Sequence, residues 1–141
     1  MIREESKTRL PYFGISRGKV LFRYAHQELE RMNEEGVLES YWECRHIVYD
    51  PEDVPVQDEA AARELCLAAI RAEAKEQIEE IAGYPQWFQN NVANGLYPSD
   101  VSDAMTAYIA SVITESNRCE DLVDTESIDD ALSVVPNWPE A

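Results

Sequence analysis

The chain has 141 residues, 45% hydrophobic and 28% charged, and a formal net charge of −16. That length suits one domain, or a small domain with an appendage, and the apolar content is enough for a modest core. So large a negative charge excludes the nucleic-acid backbone as a partner, because phosphates require a basic surface.

No stretch approaches the roughly 20 apolar residues that span a bilayer, and no early run suits a signal peptide. The sequence therefore predicts a soluble product of the cytoplasm with no membrane partner. Cys44, Cys66 and Cys119 lie far apart and form no CxxC pair, which predicts buried thiols and no disulfide framework.

Charge is unevenly spread. Residues 1–31 hold seven Lys and Arg against four acids, a balance of +3, leaving −19 for residues 32–141. The opening stretch, "MIREESKTRLPYFGISRG", is polar, punctuated by Pro11, Gly14 and Gly18, and without a stable period. It predicts an extended basic arm over residues 1–18, suited to docking on an acidic neighbour, including another copy of the chain.

A small β portion is expected over residues 19–55. "KVLFRYA" is rich in strand-favouring types, and "VLESYWECRHIVY" alternates, which places Leu38, Trp42, Cys44 and Val48 on one face. Between them "HQELERMNEEG" reads either as one or two helical turns closed by Gly36 or as a long charged hairpin loop. "DPEDVPVQD", with two prolines and four acids, reads as an internal linker.

Residues 56–122 predict a long antiparallel helical hairpin. "EAAARELCLAAIRAEAKEQIEEIAG" consists almost wholly of strong helix formers and closes on Gly83. Its apolar stripe is Leu67, Ile70, Ala74, Ile78 and Ile81. Ser99 is placed to cap a second helix running to about Leu122, with the stripe Val101, Met105, Tyr108, Ile109, Val112, Ser116 and Cys119. Residues 123–141 then form an acidic C-terminal tail, with a short helix from Ser127 and Trp138 as its anchor. The predicted fold class is α+β: a small N-terminal β portion, a long antiparallel α-helical hairpin, and a short C-terminal helix and tail.

The connection between the long helices, "GYPQWFQNN", places Tyr84, Trp87 and Phe88 where they would plug the open end of the hairpin, with Tyr97 beside them. Gln89, Asn90 and Asn91 would satisfy helix-end groups.

The same residues carry a resemblance. The pattern I-x-x-I-x-x-Y-P-x-W-x-Q-x-N falls on Ile78, Ile81, Tyr84, Pro85, Trp87, Gln89 and Asn91. It is followed by A-M-x-x-Y-I-x-x-V-x-x-x-S-N-x-x-E on Ala104, Met105, Tyr108, Ile109, Val112, Ser116, Asn117 and Glu120, and by Trp138-Pro139 near the end. This half of the chain resembles the C-terminal region of tailed-phage and prophage tail or tail-fibre-associated proteins.

The resemblance implies a structural component of the virion tail, made in the host cytoplasm and present in several copies, with other tail or fibre proteins as partners. It implies no catalytic residue and no cofactor. Tyr84, Trp87 and Phe88 at the tip, with Tyr12 and Phe13 in the arm, are the expected interaction residues. Two other functions fit the acidity: a tail-fibre assembly chaperone absent from the mature particle, and an acidic nucleic-acid mimic that blocks a host protein.

Catalytic and metal signatures are weak. Cys44 and His46 share a strand face as a metal pair would, with His26 as a possible third, but no fourth ligand is near in sequence. The run "CEDLVDTESIDD" lacks the order and glycine of a calcium loop and reads as a solvated turn. There is no GxGxxG, P-loop, GxSxG or HExxH. The expectation is a protein that is not an enzyme and holds neither metal nor cofactor.

Overall fold

A computed structural model describes residues 1–141. The protein is α+β: four strands form one antiparallel sheet, followed by three helices packed together and a short C-terminal helix. The strands are β1 (Ile2–Ser6), β2 (Phe13–Ser16), β3 (Lys19–Met32) and β4 (Leu38–Tyr49), in the spatial order β1-β4-β3-β2. The helices are α1 (Glu59–Glu76), α2 (Gln86–Ala93), α3 (Ser99–Thr125) and α4 (Ile128–Ala131). No helix is long and apolar enough to cross a membrane.

The chain divides into two compact units. One comprises Met1–Leu67 with Leu122–Val135, the other Ala68–Asp121 with Pro136–Ala141. The linker-like "DPEDVPVQD" is therefore internal to the first unit.

In the first unit the buried apolar side chains are Val20, Phe22, Tyr24 and Ala25 of β3, Cys44 of β4, and Val54, Ala62, Cys66, Val123, Ala131, Leu132 and Val134. The stretch expected as a free arm is part of the sheet: Glu4 pairs with Cys44 across β1 and β4, and Phe13 with Phe22 across β2 and β3. Between these strands Arg9 donates to the Ser133 hydroxyl at 2.9 Å and the Asp129 carbonyl at 2.7 Å, and lies 5.5 Å over the Trp42 ring. Periodicity missed this because β1 is an edge strand of five residues whose side chains are mostly exposed. Such a strand has no buried face to impose alternation.

"HQELERM" forms neither helix nor loop but continues β3. The reversal is confined to Asn33–Gly36, where the Asn33 carboxamide accepts from the Glu35 and Val37 amides, both at 3.0 Å. Cross-strand pairing to Leu38–Glu43 outweighs the weak strand preference of glutamates. Of the four β4 residues expected on one buried face, Cys44 is buried and Trp42 half-buried, while Leu38 and Val48, near the strand ends, are exposed.

β3 contains a bulge in which Ala25 and His26 face the single Cys44 of β4. Ala25 takes φ 53° there, and the His26 amide leaves the ladder to donate to the Leu132 carbonyl at 2.8 Å.

The second unit buries Ala69, Ile70, Met105, Val112 and Cys119. The α3 stripe lies where periodicity put it, with Met105, Val112, Ser116 and Cys119 buried. The α1 stripe drifts. It includes Glu73, which is buried, and ends before Ile81, which is exposed. Glu73 follows Cys66, Ala69 and Ile70 at helical spacing, while Ile81 is turned out by a π-helical turn over Gln77–Ile81, whose wider i→i+5 bonds, such as Ala82 amide to Gln77 carbonyl at 2.9 Å, rotate side chains off the expected face.

Contacts between α1 and α3 run in opposite order along the two helices: Arg71 bonds Glu120, while the Tyr108 hydroxyl reaches the Gln77 carbonyl at 3.4 Å. The tail is anchored through Trp138, whose indole N–H donates to the Glu73 carboxylate at 3.2 Å. A charged group is tolerated inside this unit because it meets a donor. The Asn137 amide adds a bond to Glu115 at 3.1 Å. Hydrogen bonds from Arg118 and from that amide hold the Glu115 carboxyl below its ordinary value, although burial opposes them. Residues 123–141 are held by more than Trp138, since Val123, Ala131, Leu132, Val134 and Pro136 are buried.

Candidate functional site: the aromatic tip

The connection between α1 and α3 is a structured cap. Gly83 adopts φ 76°, a left-handed conformation that ends the helix without a Cβ penalty. The Tyr84 amide then bonds the Ile78 carbonyl at 2.9 Å. Pro85 stands at the N-cap of α2 with φ −63°, and the Gln89 side-chain amide donates to the Tyr84 carbonyl at 2.8 Å. Asn90 accepts from the Gln86 side chain at 2.9 Å, so the amides of this stretch brace the short helix as well as its junction.

Four rings form the cap. Phe88 stacks on Tyr97 at 4.6 Å, Tyr84 lies 5.6 Å from Phe88 and 6.1 Å from Tyr108, and all four are half-buried. Ring pairs of this kind contribute roughly 0.5–1.5 kcal/mol each beyond their buried area. Tyr84 and Phe88 therefore plug the end of the unit as expected.

Trp87 does not. Its ring meets Phe88 edge-on at 5.8 Å and is otherwise open, 62% exposed. Ile81, at 59%, and Leu96, at 68%, are exposed in the same unit. These two were not singled out from sequence as interaction residues: Ile81 was assigned to the core, and the π turn removes it. One signal was legible, however. From Glu76 to Asn117 there is no Lys, Arg or His, while Glu76, Glu79, Glu80, Asp100, Asp103 and Glu115 fall in that span. Lys75, just before that span, pairs with Glu79 at 3.9 Å, and the remaining acids that flank the connection can recognise a partner by charge as well as by burial.

Tyr12 and Phe13, the other expected interaction residues, have an internal role. They sit edge to face at 5.5 Å, and Phe13 continues to Phe22 at 5.7 Å, so a chain of rings leads into the first unit's core. The exposed apolar residue of that edge is Ile15.

On the sheet, Glu4 gathers Arg23 and His46. Its Oε2 accepts from Arg23 Nε at 2.9 Å and contacts His46 Nδ1 at 2.9 Å. Arg23 also donates to the Pro11 carbonyl at 3.1 Å. Burial alone would raise the Glu4 carboxyl, but the bonds and charges of Arg23 and His46 outweigh it and hold the pKa below its ordinary value. A Cβ at Gly14 would lie 2.5 Å from an Arg23 guanidinium nitrogen, so a side chain there would require the guanidinium to shift.

Burial, with the Glu4 charge second, pushes Cys44 up to about 11. It is a thiol at neutral pH. No group of three or more His, Cys, Asp or Glu is arranged to hold a metal ion. All three cysteines are buried and none forms a disulfide.

Comparison with protein-family models, curated proteins and solved structures gives no match to this chain.

Proposed function

We propose that this protein is a structural component of a bacteriophage tail, associated with the fibre or baseplate, and that it works through protein contacts rather than catalysis. In this reading α1 and α3 are the arms of a long antiparallel hairpin. The α2 tip presents Trp87 to another tail or fibre protein, and several copies are held in the virion. The observation that carries the reading is the exposed Trp87 on a braced aromatic cap, within the stretch that resembles tail-associated proteins. A tryptophan held open on a preorganised surface is the residue type that most often dominates an interface.

Purified particles supply the test. Mass spectrometry of intact virions is expected to find the chain at a fixed ratio to a tail protein of known copy number, and Trp87→Ala is expected to abolish its incorporation while leaving it soluble and folded. A chain abundant in infected cells but absent from particles would instead identify the assembly chaperone, for which the same tip and the same acidity serve.

A further inference from the structure

The molecule carries, on its other unit, a surface complementary to its own tip. β2 is the outermost strand on its side of the sheet, so one row of its backbone N–H and C=O groups faces away from any partner strand. Ile15 on β2 is 76% exposed, the highest value among the large hydrophobic residues. The turn that follows presents Arg17, at φ 52°, which is exposed and makes no ion pair within the chain. Lys19 comes next, paired only with Asp50 near the surface.

The tip offers the converse: exposed Ile81, Trp87 and Leu96, acids that outnumber the single Lys75, which pairs with Glu79, and the exposed amide side chains of Gln86, Asn90 and Asn94, the first two bonded to each other. Carboxamides both donate and accept, which is what an unpaired strand edge requires.

We propose that the tip of one copy seats on the β2 edge of a second copy, Trp87 against Ile15, with Arg17 among the tip's acids. This rests on the reading of the tip as an interaction surface and names its partner. The occupant is a second copy because this chain itself supplies the matching charge: the β2 edge ends in Arg17, which has no ion partner, and Lys19, while Glu76, Glu80, Asp100 and Asp103 flank the connection that forms the tip. The contact is heterologous, so every copy in a pair still has one free tip or one free edge, and growth proceeds to a ring or a filament.

Sedimentation of the full chain over a wide concentration range, at low and physiological salt, tests this. The wild type is expected to gain mass with concentration. Trp87→Ser and the double variant Ile15→Ser/Arg17→Glu change exposed side chains, and circular dichroism confirms that each is folded. Each alone is expected to associate at least about thirtyfold more weakly, the effect of losing a hot-spot side chain. Their equimolar mixture retains one intact tip and one intact edge per pair, so it should form heterodimers and stop there.

A wild type monomeric throughout, single variants that assemble like the wild type, or a mixture that forms no heterodimer would each overturn the proposal. If the wild type is monomeric and yet Trp87→Ala is lost from particles, the contact between copies is wrong and the tail reading stands.

Discussion

At the scale of single residues, His26 concentrates the most consequence. The bulge turns its imidazole into the first unit, where it is 2% exposed and its Nε2 has no hydrogen-bond partner. Burial, and then the Arg9 charge, lower its pKa to about 4, while a bond to the Arg23 backbone and the Glu4 carboxylate pull weakly the other way. Between the ordinary 6.5 and that value the unfolded chain binds a proton that the native chain refuses. Stability therefore falls as pH falls through this window, by about 3 kcal/mol when complete. Glu4 adds a second loss at lower pH: its depressed carboxyl stabilises the fold above the ordinary 4.5, and that contribution disappears as pH drops through the folded value. Urea unfolding at a series of pH values is expected to show both losses, and His26→Leu should flatten the first while leaving the second. An unchanged slope between pH 6.5 and 4 in that variant would refute the assignment.

At the scale of elements, α2 separates two adjacent aromatics by role. Phe88 faces Tyr84 and Tyr97, whereas Trp87 faces outward. Phe88→Ala is expected to cost about 2 kcal/mol, roughly half the loss for a fully buried phenylalanine. Trp87→Ala should change stability by less than about 0.5 kcal/mol. Equal losses in thermal unfolding would mean that Trp87 is part of the core and would remove the basis for the tip as a contact surface. The strands had a different legibility. β3 and β4 announced themselves through strand-favouring residues, but the length of β3 did not, because Glu28, Glu30 and Arg31 look solvated in sequence. Their pairing with Trp42, Ser40 and Glu39 keeps them extended.

At the scale of the whole molecule, charge governs behaviour in solution. The net charge of −16 opposes non-specific aggregation at neutral pH, and this repulsion vanishes near the isoelectric point of about 4.3. By that pH the stability lost through His26 is nearly complete, so repulsion disappears in a chain that is already destabilised. The soluble fraction is expected to pass through a minimum near pH 4.3, measured by centrifugation after stepwise acidification. A flat profile from pH 7 to that point would show that net charge is not what keeps the chain dispersed.

The sequence by itself determined the α+β class, the two long helices and the capped connection between them. These rest on local rules: helix formers at a 3.6-residue period, a glycine stop, a proline restart and a capping serine act over a few residues and need no distant partner. Only the tertiary structure decided that residues 1–18 belong to the sheet, that Glu73 is buried under Trp138, that Ile81 and Trp87 are left open, and that His26 is enclosed. Each of these depends on pairing or burial between residues far apart in the chain, or on a single extra residue in a helical turn that shifts every side chain after it, and neither leaves a local period to read.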